Sequence, residues 1–146
     1  MANENDKATI NVTSNSQSGG ITAYAVNINT DRQINAAIEA ALVSALQAER
    51  CQVTVGALGM GGEPDQLANQ LLLTAQNAGC AARGVNHGVG FQPFKGIQIQ
   101  VSQTNPLINT ARKLESILNA AGISSAVVYG HNLEEGSIYL YVGYNP

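Results

Sequence analysis

Charge is what this sequence has least of. Asp, Glu, Lys and Arg make up 12% of its 146 residues, against about 25% in an ordinary soluble domain. Asn, Gln, Ser, Thr and Gly fill the gap, and a surface so weakly charged favours self-association. Tryptophan is absent, and there are only two cysteines, Cys51 and Cys80. Two cysteines exclude a disulfide scaffold and leave buried thiols as the simpler reading. The two histidines, His87 and His131, have no cysteine or carboxylate at ligand spacing, so neither a zinc site nor any other cofactor is expected. Cations are few and scattered, with only Arg112 and Lys113 adjacent, and the formal net charge is −3. A protein that grips duplex nucleic acid needs a basic face, and none is present. Recognition of a small anion by two or three cations stays open.

Long apolar runs are missing too. No stretch approaches the roughly 18 residues of a membrane span, so direct membrane insertion is not expected. The opening "MANENDKATI" lacks the basic and apolar regions of a secretory signal, and the expectation is a cytoplasmic protein.

What is present is a doubled βαβ pattern, over residues 51–88 and 96–131. Each copy opens on an alternating strand: Val53, Val55, Ala57 in one and Ile97, Ile99, Val101 in the other. A polar loop, a proline (Pro64, Pro106), an apolar helical stripe and an Ala-Gly stop (Gly79, Gly122) follow in both. Asn105 reads as the N-cap before Pro106, and Glu63 as a weaker one before Pro64. The stripes are Leu67, Leu71, Ala75, Ala78 and Leu107, Ala111, Leu114, Leu118, Ala121. Strands over 80–87 and 124–130 complete the two units, and a further strand, Ser137 to Val142, is expected to pair with 124–130. A helix over 32–49 precedes them, with Thr30 and Gln33 as its capping box. The link "VGFQPFK" is too short for a parallel crossover, so the expected class is α+β: a βαββαβ two-layer sandwich of ferredoxin-like type. The alternative is a Rossmann-like open sheet with 51–58 and 97–102 parallel.

Residues 1–29 form a separate expectation. Ile10 and Val12, then Ile21, Ala23 and Ala25, alternate on either side of "SNSQSGG" like a β-hairpin arm. So small a hairpin is marginal alone, and its uncharged edges favour pairing with copies from other chains. The domain proper is then 30–146.

Three stretches, "SNSQSGGITAYAVN", "GEPDQLANQL…AG" and "GSIYLYVGYNP", resemble a group of uncharacterised bacterial domains usually found at the C-terminus of membrane-anchored proteins. Tyr144-Asn145 departs from that group's closing VGxKP, and no membrane helix is present. The resemblance implies a sensing or assembly module and lends no catalytic residue.

Two loops are candidates for ligand contact. In "GALGMGGEP", Gly59, Gly61 and Gly62 lead from strand to helix, where backbone N–H groups can surround an anion. Neither standard phosphate motif is complete, and Glu63 and Asp65 would repel a phosphate. In "ARGVNHGVGFQPFKG", Arg83, His87 and Lys95 can join Phe91 and Phe94 to hold a charged, stacking ligand. Thr104 and Asn105 are the remaining members of that expected pocket. Tyr139 and Tyr141 share one strand face, opposite Ile138, Leu140 and Val142, which suits a subunit interface or a ligand shelf.

The leading expectation is a non-enzymatic, oligomeric module that senses or sequesters a nucleotide-like anion. The alternative is a self-assembling structural protein without a ligand. A hydrolase using His87 or His131 is the weaker third, because nothing local supplies a nucleophile.

Overall fold

The computed structural model describes residues 31–49, 51–87, 92–130 and 133–146. The chain divides into two units, residues 1–31 and Arg32–Pro146. The expected arm over 1–29 lies outside the described residues, as do Thr30, Phe91 and His131.

In the second unit the elements run α1 (Ala36–Gln47), β1 (Gln52–Ala57), α2 (Glu63–Asn77), β2 (Ala81–His87), β3 (Ile97–Val101), α3 (Ile108–Ala120), β4 (Ser125–Tyr129) and β5 (Ser137–Val142). Helices and a mixed five-stranded sheet give the α+β two-layer sandwich that the sequence pattern implied. The strand order is β2-β1-β5-β3-β4. Both βαβ units close on themselves, β1 parallel to β2 and β3 parallel to β4.

Strand β5 lies between the two units, parallel to β1 and antiparallel to β3. Its expected pairing with 124–130 is therefore corrected: β4 is an edge strand bonded to β3. The arrangement with 51–58 and 97–102 parallel is also excluded, because β5 separates these strands and reverses their sense. Ser137–Val142 carries apolar residues on alternate positions with nothing charged among them. From the central position its Ile138, Leu140 and Val142 are buried in the core.

Alternation decides which face is covered. Val53, Val55, Ile97, Ile99, Val101, Ile138, Leu140 and Val142 are buried with Leu67, Leu71, Ala75, Leu114 and Leu118 of α2 and α3 in one core. Helix α1 adds Leu42 and Leu46, which join Leu71, Leu114, Leu118 and Leu140 in the same core. Fully burying a leucine or isoleucine contributes about 1.5–3 kcal/mol, so this face carries most of the fold.

Helix boundaries shift from the sequence reading for physical reasons. Helix α1 starts at Ala36, where Asn35 Oδ1 accepts the Ile38 N–H at 2.9 Å; this cap replaces the expected box at Thr30 and Gln33. Helix α2 has Gly62 at its N-cap, and Glu63 is its first residue. Asn105 does not cap α3 directly. It is buried, its Oδ1 accepting from Leu107 N–H and its Nδ2 donating to Ser137 O, so the helix begins later, at Ile108. Ala121, expected in the α3 stripe, follows the helix and is exposed. Gly79 and Gly122 end their helices at φ +83° and +81°, a conformation that glycine adopts without strain.

Candidate functional site

One end of the sheet gathers most of the expected loop residues. The carboxyl ends of β1, β2 and β5 meet the start of β3 there, because Ile97 is registered with Val142. Gly59, Gly61 and Gly62 leave β1, His87 ends β2, and Phe94 and Lys95 precede β3. Lys95 bridges to Tyr144, and Phe94 O accepts the Tyr144 N–H at 2.9 Å. The Phe94 ring lies over Gly143, whose missing side chain leaves it room.

The other described members of the expected pocket do not join them. Thr104 and Asn105 follow β3 at the opposite end, beside Ser137 at the start of β5. Arg83 is on an exposed sheet position, registered with Thr54.

At the shared end the acids of the chain already occupy what an anion would need. Asp65 Oδ2 accepts the Gly61 N–H at 2.9 Å, and Asp65 Oδ1 sits 2.8 Å from His87 Nε2. Glu63 takes Arg32 in a forked pair, Nε to Oε2 at 2.9 Å and Nη2 to Oε1 at 2.6 Å. Its Oε2 also accepts the Arg32 backbone N–H, and Arg32 Nη2 donates to Gly143 O. The Arg32 side chain is 4% exposed and that of Glu63 16%. A carboxylate in the first turn of α2 also faces the positive end of the helix dipole. The N-terminus of α2 is thus neutralised from within, and the β1–α2 loop works as a clasp.

The same contacts hold both carboxyls below their ordinary range: Arg32's hydrogen bonds lower Glu63, while the Gly61 N–H and then His87 lower Asp65. A carboxyl depressed in the fold stabilises it fully above the ordinary carboxylate range of about 4, and that contribution fades as pH falls through the depressed folded values. Thermal melts from pH 7 downwards should therefore show a falling midpoint below about pH 4. The fall should be shallower in Asp65→Asn, which has given up its share at all pH values.

His87 and Asp65 form a base with an orienting carboxylate, the start of a hydrolytic set. Among the described residues no hydroxyl or thiol is hydrogen-bonded to His87, and no group of three or more His, Cys, Asp and Glu could hold a metal ion. No helix among the described residues is long and apolar enough to cross a membrane.

The second surface feature is the sheet face opposite the helices. Register aligns Arg83, Thr54, Tyr139, Gln100 and Val128 in one row across all five strands. Asn86, Gly56, Tyr141, Gln98 and Ala126 make the next row. The Tyr139 and Tyr141 rings stack with centroids 6.2 Å apart. Tyr141 lies flat over Gly56, where an added Cβ would meet its ring at 2.6 Å. Gln100 Nε2 donates to Gln98 Oε1, tying the two rows together. Arg83 is the one charged residue in these rows. Among the described residues, the helices all pack on the other face.

No family model, curated protein or solved structure matches this chain.

The sequence reading missed Arg32, one of seven scattered cations with no pattern around it. It noted Asp65 only as a repulsive charge, because its two partners come from a loop and a neighbouring strand.

Proposed function

We propose that this chain is a non-enzymatic assembly module, in which a second copy packs on the tyrosine-bearing face of the sheet. The observation that carries this reading is that face itself: two five-residue rows with one charge between them, stacked tyrosines at the centre, and side chains left half-buried at Thr54, Gln98, Gln100, Val128, Tyr139 and Tyr141. Interfaces are enriched in tyrosine and depleted of lysine and acids at their cores. Two sheets can pack face to face with side chains interdigitating about 10 Å apart. The low charge of the whole chain supports the same reading. The nucleotide-like anion has weaker support, because the α2 N-terminus holds its own carboxylates and the expected cations point to different places.

Concentration-dependent nitration tests the proposal. Tyr129 and Tyr144 are 44% and 50% exposed and lie outside the two rows, so they should nitrate at every protein concentration. Tyr139 and Tyr141 should be protected in concentrated solution and become reactive on dilution. Reactivity of this pair that does not change with concentration removes the proposal.

A further inference from the structure

Cys51 and Cys80 each stand one residue before a registered pair, Gln52 and Ala81, on adjacent parallel strands. Two-residue periodicity therefore turns both toward the helices, and their Sγ atoms lie 3.5 Å apart. The backbone on each side is fixed: Cys51 N–H donates to Glu49 O at 3.0 Å and Cys80 N–H to Ala75 O at 3.1 Å. A disulfide bond is about 2.05 Å long, so closing the pair needs a small side-chain movement and leaves the strand pairing in place. A cleft of 530 Å³, lined by Cys51, Gln52, Gly79, Ala81, Glu135 and Gly136 among others, opens on the Cys51 side of the pair.

We propose that Cys51 and Cys80 form a thiol–disulfide exchange site, a dithiol oxidised by small-molecule disulfides of the glutathione class. Cys80 is only partly buried, whereas Cys51 is buried, so Cys80 meets the oxidant first. Its thiolate attacks one sulfur, the oxidant's S–S bond breaks, and one thiol leaves with the electron pair and takes up a proton. Cys51 then gives its proton to solvent and attacks Cys80 Sγ, forming the intramolecular bond and releasing the second thiol. The protein loses two electrons and two protons, and the oxidant becomes two thiols.

The buried partner is not the one to attack first. Burial, then the neighbouring Cys80 thiol, push Cys51 up to about 12, which keeps it protonated in the resting dithiol. The resulting crosslink ties the start of β1 to the start of β2 and constrains the unfolded chain, so the oxidised protein should melt higher.

The test is incubation of the full chain with oxidised glutathione, read by intact mass, thiol titration and peptide mapping. The expected wild-type product is lighter by two hydrogens, has no titratable thiol and yields a Cys51–Cys80 linked peptide. Cys51→Ser should stop at a persistent glutathione adduct on Cys80, and Cys80→Ser should react much more slowly. A wild type that retains its adduct, crosslinks only between chains or keeps both thiols overturns the proposal. Those wild-type outcomes decide it even where a serine variant folds poorly.

Discussion

Replacing Glu63 by alanine should cost about 3–5 kcal/mol of folding stability, the usual result of stranding one member of a buried ion pair. The partner left behind is the reason. Arg32 is almost wholly buried, and Glu63 accepts three of its hydrogen bonds. Its Nη1 has no partner among the described residues, so losing Glu63 leaves a cation with little beyond Gly143 O to hold it. The reverse substitution, Arg32→Ala, leaves a carboxylate at a helix N-terminus, where it is partly stabilised, and should cost less. Adding Arg32→Met to Glu63→Ala should recover stability, because the stranded charge disappears. Urea denaturation of the four proteins measures this asymmetry. Equal losses from the two single substitutions would contradict this account of the stranded charge. Whole-domain stabilities are about 5–15 kcal/mol, so Glu63→Ala brings the chain near its unfolding limit.

The clasp also shows why one part of the molecule was legible in the sequence and another was not. Local periodicity marked all five strands of the described unit and its three helices, and Gly79 and Gly122 stop their helices where the Ala-Gly pairs stood. It also separated the Tyr139 and Tyr141 face from that of Ile138, Leu140 and Val142. Strand order is another matter. Nothing in Ser137–Val142 says which neighbour it takes, since its alternation fits an edge or a centre equally. The loop residues fared by the same logic. Those beside a strand's carboxyl end, such as Gly61 and His87, lie together, both held by Asp65. Thr104 and Asn105 follow β3, and β3 runs opposite to β1 and β5, so the direction of one strand sends them to the far end. Cys51 and Cys80 were readable in principle: each precedes a strand of the same βαβ unit, and parallel register brings such residues side by side.

Assembly through the tyrosine-bearing sheet face gives the second large effect. Tyr139 sits in the middle strand of its row, registered with Thr54 on one side and Gln100 on the other, and stacks on Tyr141. A buried tyrosine at the centre of an interface is a common hot spot, worth about 2 kcal/mol or more on truncation. A carboxylate there would in addition be desolvated without a partner. Tyr139→Glu should therefore weaken association by roughly thirtyfold or more. It should leave the helix-side core intact, because Tyr139 points away from it. Leu73→Glu is the matched control: Leu73 is a 57% exposed apolar residue on α2, in the helical layer.

Light scattering on the full-length chain, across a dilution series, tests this account most directly. It predicts a wild type heavier than one chain at high concentration, a Leu73→Glu variant of the same mass, and a Tyr139→Glu variant reduced to one chain with unchanged circular dichroism. A wild type that has the mass of one chain at every concentration, or a Tyr139→Glu variant that keeps the wild-type mass, would contradict it.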